Sequence, residues 1–213
     1  MLYRTIIILL SLTISITSCS QGSKKASNNK TDLSKLERAY FASGCFWCVE
    51  AVYESVNGVH ESISGYSGGH TSNPTYESSN TGNTGHAEAV EIYYDSKVVS
   101  FSTLVDVYFG SQNITQVNGQ GPDHGSQYRS IIFYQNEEEK NIIDAKVASL
   151  NKELAPEKVA AEVMEFEKFW LGEEYHQDFE RLHPNHRYIL AISKPRLARF
   201  EAKFPQLLKK EGH

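Results

Sequence analysis

Two of the three cysteines, Cys45 and Cys48, stand three residues apart in Cys45-Phe46-Trp47-Cys48, while Cys19 ends an N-terminal apolar run. A bridge across so short a loop removes little freedom from an unfolded chain. No disulfide framework can therefore hold this fold, and a hydrophobic core must do so. With 213 residues and 40% apolar composition, the chain can bury one such core but has no room for several large domains. Chemistry is a better account of the close pair than stapling, and the segment reads as a thiol redox centre.

The N-terminus differs in kind from the rest of the chain. Arg4 precedes the apolar run Ile6 to Ile16, too short to span a bilayer comfortably but suited to a secretory signal. The run closes in Ile16-Thr17-Ser18-Cys19, which resembles a bacterial lipobox and implies that Cys19 becomes a lipid-bearing mature N-terminus. Residues 1–18 are thus read as a lipoprotein signal peptide. Residues 19–36 are small, polar and poor in aromatics, and read as a flexible tether. A folded domain is expected over 37–193, with a helical C-terminal extension over 194–213. The expected location is the cell envelope, outside the cytoplasm and anchored through Cys19. Ser20 is not the aspartate that retains lipoproteins in an inner membrane, so a cell with an outer membrane would carry the protein on its periplasmic face. The formal charge of -5 is mild and Lys and Arg are scattered, which argues against a nucleic-acid partner; the chain is read as a monomer.

Within the domain, Arg38 to Ala42 has a strand pattern, Ser43-Gly44 a cap, and Cys45 to Val56 a helical pattern with Cys48, Val52 and Val56 on one face. A strand from Val59 to Gly65 leads to Tyr66–Gly85, YSGGHTSNPTYESSNTGNTG, which has neither a helical nor a strand period. So long an ordered loop inside a domain is usually functional. Further strands are expected over Ala87 to Tyr94, Tyr128 to Tyr134 and Lys158 to Phe166. Helices are expected over Ser102 to Phe109 and Glu137 to Leu150, around Glu173 to Leu182, and over Leu197 to Lys209, with a second Gly-rich loop at Asn118 to Ser126. Strands and helices mix without regular βαβ alternation. The fold class is therefore α+β: a single domain with a mixed β-sheet flanked by helices and long ordered loops.

Cys45 lies where strand passes into helix, a place where free N–H groups and the positive helix end favour a thiolate. Cys48, one turn on, is a neighbour with which a disulfide is feasible if the first turn distorts. A buried structural thiol pair, half a zinc site and a thioredoxin-like module stay open on this ground alone. His70, His86 and His124 lack the spacing of a zinc ribbon or finger, and two bulky aromatics between the cysteines are unusual for thioredoxin. In the strand Ala87 to Tyr94, alternation places Glu88 with Val90, Ile92 and Tyr94 on an apolar face, where a carboxyl has its pKa raised; Glu91 points to the other side and reads as solvated.

Five motifs occur in order: Gly44-Cys45-Phe46-Trp47 with Val49-Glu50, Gly65-Tyr66-Ser67-Gly68-Gly69, Asn73-Pro74-Thr75-Tyr76, Thr84-Gly85-His86-Ala87-Glu88-Ala89-Val90, and Asp123-His124-Gly125-Ser126-Gln127-Tyr128-Arg129-Ser130. Together, over about residues 38–190, they resemble the peptide methionine sulfoxide reductase A family. The resemblance implies that family's two-layer sandwich or roll, and reduction of methionine (S)-sulfoxide, free or in proteins, to methionine. It implies that Cys45 attacks the sulfoxide sulfur and becomes a sulfenic acid, and that Cys48 then closes a Cys45–Cys48 disulfide, reopened by a thioredoxin-like reductant. It assigns Glu88 to protonate the sulfoxide oxygen, Tyr76 and Tyr128 to hydrogen-bond it, Asp123 to support them, and Phe46 and Trp47 to pocket the substrate methyl. His86 and His124 are expected to make structural hydrogen bonds, and no cofactor or metal is implied.

The chain departs from many relatives in having no cysteine after Cys48, so resolution falls to Cys48 or to an external thiol. It reads Gln112-Asn113-Ile114 where relatives often have His-Asp-Pro, and Pro122 where they have Asn. The tail from Lys194 matches no motif. Two other functions stay open, a lipid-anchored thiol-disulfide oxidoreductase and a non-enzymatic binding module built on Phe46 and Trp47.

Overall fold

The structure, a computed structural model, describes residues 32–210. Its frame is a six-stranded mixed sheet in the order β7-β6-β1-β3-β2-β8. The strands are β1 (Glu37–Ser43), β2 (Val59–Ser67), β3 (Ala87–Tyr94), β6 (Ser130–Tyr134), β7 (Glu162–Glu165) and β8 (Trp170–Leu171), and only β6 and β7 run parallel. A separate two-residue hairpin, β4 (Gly119–Gln120) and β5 (Asp123–His124), lies in the second Gly-rich loop. The helices, in chain order, are α1 (Phe46–Glu54), α2 (Tyr76–Asn80), α3 (Phe101–Gly110), α4 (Glu137–Leu154), α5 (Phe179–Leu182) and α6 (Lys194–Lys203).

The period-two pattern of the central strands decides which side of the sheet is thick. Phe41, Val90, Ile92, Tyr94 and Ile132 point into the main core, where they meet Val49, Val52 and Tyr53 of α1 and Leu104 and Tyr108 of α3. The alternate residues Tyr40, Ala42, Ala87, Ala89, Ile131 and Phe133 form a smaller apolar cluster, covered by Met164, Phe166 and Phe169. Helix α1 is buried over most of its circumference, because the sheet lies on one side and α5, α6 and the turn before α6 on the other.

Two glycines are required by close approach. Gly44 has φ +79°, and a Cβ there would come within 2.5 Å of Gln120 Cβ. At Gly65 a Cβ would lie 2.3 Å from the Trp170 carbonyl oxygen, so β8 could not pair with β2.

Several elements depart from the sequence expectation. Tyr66 and Ser67 extend β2, and the polar loop contains α2, which no apolar period announces. Local capping builds it: the Ser78 N–H donates to Thr75 Oγ1 (3.2 Å) and the Thr75 N–H to Ser78 Oγ (2.8 Å). Tyr128 lies in a 3₁₀ turn, Ser126–Tyr128, and the strand begins only at Ser130. The strand expected over 158–166 is confined to Glu162–Glu165.

The segment from Lys194, which carries no motif, packs into the core. Arg196 donates to the carbonyl oxygen of Ser43 (2.9 Å), to Ser43 Oγ (2.8 Å) and to the carbonyl oxygen of Ser111 (2.8 Å). Phe200 is 1% exposed. Phe200→Ala is expected to destabilise the whole domain by about 3–5 kcal/mol, seen in urea as a shift of one cooperative transition. An unchanged midpoint would make α6 an appendage.

Candidate active site

Gly44 turns β1 into α1 and leaves Cys45 at the helix N-cap with extended backbone, φ −54° and ψ 124°. Both cysteines are free thiols and nearly inaccessible, Cys45 at 7% and Cys48 at 2% exposure. They hydrogen-bond each other, and Cys48 Sγ lies 3.8 Å from Tyr188 Oη.

Glu88, at 2% exposure, faces them from β3, and its Oε2 accepts the N–H of Phe46 at 2.9 Å. Burial pushes the Glu88 carboxyl up to about 8, against the pull of that N–H. It is therefore mostly protonated at neutral pH. The apolar-face placement read from strand alternation holds. Glu91 departs from its reading: its side chain is only 12% exposed and accepts from Tyr40 Oη (2.8 Å), Tyr93 Oη (3.1 Å) and Arg38 (3.5 Å), because Tyr40, Tyr93 and Arg38 cover that side of the sheet.

The ionisation expected of Cys45 is also corrected. The helix N–H that was to favour its thiolate is taken by Glu88. Burial, the hydrogen bond to Cys48 and the nearby carboxyl hold Cys45 well above the ordinary thiol range. Cys48 moves the opposite way, to about 7, because Cys45 donates to it and the Arg196 charge lies nearby.

A cavity of about 150 Å³ opens beside Cys45, lined by Phe46, Trp47, Tyr76, Glu88, Asp123, Tyr128 and Tyr188. The sequence-nominated residues Cys45, Glu88, Tyr76, Tyr128, Asp123, Phe46 and Trp47 thus meet at one place, with Cys48 just behind. The 3₁₀ turn at Ser126–Tyr128 and the capped start of α2 bring in the two tyrosines.

Tyr188, His176 and Glu173 were not singled out from the sequence. Tyr188 Oη donates to Asp123 Oδ2 and sits edge-on to Trp47 at 5.9 Å. Trp47 Nε1–H donates to His176 Nδ1 (3.2 Å), and the indole stacks on Phe179 at 3.7 Å. Since Nδ1 accepts, the proton of neutral His176 belongs on Nε2, 3.9 Å from Glu173 Oε2; burial keeps the ring below its ordinary pKa. Glu173 accepts from Tyr66 Oη (2.8 Å) and the Tyr76 N–H (2.9 Å) and so holds the Tyr76 wall, while the buried His176 Nε2 makes no hydrogen bond among the described residues. The available signal was the run Glu173 to Tyr188, dense in aromatics and histidines.

Of the two motif histidines, His86 accepts the Gly69 N–H at Nδ1 (3.1 Å) and lies 2.8 Å from the Thr71 carbonyl oxygen at Nε2, a structural role. His124, in β5, is exposed, and no side-chain hydrogen bond is made by it among the described residues.

Comparisons with known proteins agree with this geometry. A family model described as peptide methionine sulfoxide reductase matches residues 37–208. The peptide methionine sulfoxide reductase MsrA of Polynucleobacter asymbioticus is 44% identical over 184 residues, 85% of this chain and 97% of that one. The Pasteurella multocida protein of the same name is 42% identical over 81% of this chain and 99% of its own length. Among solved structures, methionine sulfoxide reductase A of Corynebacterium diphtheriae matches with TM-score 0.63 and 29% identity, covering 70% of this chain and 75% of that one. Mxr1 from Saccharomyces cerevisiae in reduced form matches with TM-score 0.62 and 28% identity, covering 73% and 90%. With a family match across the folded domain and relatives aligned over nearly their full length, this chain is an enzyme of the peptide methionine sulfoxide reductase A family.

Proposed function

We propose that this reductase acts on the S epimer of methionine sulfoxide, free or in peptides, through Cys45 and Glu88, with Cys48 as resolving thiol. The observation that carries the reading is Glu88, held protonated near neutral pH across a cavity of about 150 Å³ from Cys45. Cys45 Sγ attacks the sulfoxide sulfur as its proton passes toward Cys48, and Glu88 protonates the oxygen. The oxygen ends on Cys45 as a sulfenic acid, and methionine leaves. Phe46 and Trp47 take the substrate methyl, Tyr76 and Tyr128 hydrogen-bond the oxygen, and Asp123 acts through Tyr188.

Cys48 then attacks the sulfenic sulfur, water departs and a Cys45–Cys48 disulfide closes. A thioredoxin-like reductant reopens it by exchange.

With a dithiol reductant the protein is expected to consume the S epimer and spare the R epimer in an epimer-resolved turnover assay, and Cys45→Ser to abolish this. Reduction of insulin disulfides in place of the sulfoxide would favour a thiol-disulfide oxidoreductase. The general-acid role has a definite sign. An acid works while protonated, so kcat/KM is expected to fall as pH rises through about 8, and Glu88→Gln to lower it by about 10²–10⁴-fold. A wild-type rate unchanged from pH 7 to 9.5 would remove Glu88 from that role.

We also propose that the protein is held at the envelope through lipid on Cys19, which lies outside the described residues; the reading rests on Ile16-Thr17-Ser18-Cys19. Mass spectrometry of membrane-extracted protein is expected to find a diacylglyceryl adduct on Cys19. An unmodified N-terminus elsewhere would overturn the anchor.

A further inference from the structure

The two sulfurs open onto different cavities. Cys45 lines the small one beside Glu88, whereas Cys48 lines a second, of about 570 Å³, from which Cys45 and Glu88 are absent. Asp123 and Tyr188 form the partition, belonging to both. The larger volume lies in the range of small-molecule pockets.

Its chemistry is cationic. Arg196, Arg199 and Lys203 project from one face of α6, at helical spacings of three and four, into this cavity. Arg196 is 7% exposed, and its three hydrogen bonds go to neutral oxygens of Ser43 and Ser111, so no carboxylate hydrogen-bonds it, although Asp123 across the cavity feels its charge. Arg199 and Lys203 are exposed at the mouth, and neither has an ion-pair partner among the described residues. Asp123 is the lone carboxylate in the lining, and it is engaged by Tyr188.

We propose that this cavity admits a small carboxylate-bearing thiol that reduces the Cys45–Cys48 disulfide by attack on Cys48, a route of recycling that needs no protein reductant. The proposal rests on the disulfide assigned above. Exchange requires the attacking thiolate to approach in line with the bond it breaks, and an approach from the Cys48 cavity leaves Cys45 as the departing sulfur. The first thiolate bonds to Cys48 Sγ as the S–S bond breaks, and Cys45 departs with the electron pair into the substrate cavity. A second thiolate attacks the outer sulfur of the mixed disulfide, freeing Cys48 and releasing the oxidised thiol as its symmetrical disulfide. Two thiols are oxidised, one protein disulfide is reduced, and solvent protons restore both cysteines. Arg199 and Lys203 hold the carboxylates, and the field of Arg196 favours the incoming thiolate.

The test uses full-length protein turning over methionine (S)-sulfoxide with glutathione, cysteamine or neutral dithiothreitol as sole reductant, at matched thiolate concentration. Glutathione is expected to show saturation and to exceed cysteamine by about tenfold or more. In Arg199→Glu/Lys203→Glu the glutathione rate, taken as a ratio to the same variant's dithiothreitol rate, should fall by about tenfold while cysteamine gains. Equal, non-saturating rates for both monothiols, no change in their ratio on charge reversal, or turnover with a thioredoxin-like protein but not with glutathione would each overturn the port. Peptide mass analysis after one substrate turnover without reductant separates the two readings. A missing Cys45–Cys48 disulfide refutes the catalytic cycle, whereas a disulfide that forms but ignores thiol charge refutes only the port.

Discussion

The hydrogen bond from the Phe46 N–H to Glu88 joins the N-terminus of α1 to the middle of the sheet, and the rest of the site takes its places around it. A buried carboxyl needs a partner, and the first free amide of a helix is a strong one. By holding Glu88 there, the fold fixes the acid under Cys45 and uses the helix N-terminus to satisfy a neutral carboxyl rather than to ionise a thiol. Burial keeps Glu88 protonated against the pull of that N–H, and burial together with Cys48 keeps the Cys45 thiol up.

A reductive site of this kind has to keep its nucleophile from unwanted partners. Cys45 is protonated and buried at rest, behind aromatic walls whose orientation is set through Trp47, His176 and Glu173. Only a ligand small enough for the cavity and able to take a proton from Glu88 meets the groups needed for attack. The reactivity of Cys45 is thus tied to occupancy, and that sulfur need not stand as a thiolate.

Much of this was legible in the sequence, for reasons that differ by residue. Glu88 was readable because strand alternation is a local rule, and Val90, Ile92 and Tyr94 mark the buried side. Tyr76, Tyr128 and Asp123 were readable only through ordered motifs, since nothing in their immediate neighbours announces a shared cavity. Helix α2 escaped notice because Ser and Thr capping builds it without an apolar stripe. Tyr188, His176 and Arg196 were hidden for a different reason: their partners Asp123, Trp47 and Ser43 lie 65, 129 and 153 residues away. Such contacts exist only once the last third of the chain folds back over α1. The error on Cys45 has the same origin, since its competitor for the helix N-terminus comes from a distant strand.

That folding back also governs when the centre can come into being. Arg196 grips Ser43, two residues before Cys45, from across 153 positions of sequence. Contacts of so large a separation close late. A chain still emerging from the ribosome has its two thiols long before it has the Arg196 clamp. Until α6 docks, the Cys48 cavity lacks the wall that Arg196, Arg199 and Phe200 supply. The surroundings of the second sulfur are in this sense completed last, by a stretch of chain that holds no cysteine at all.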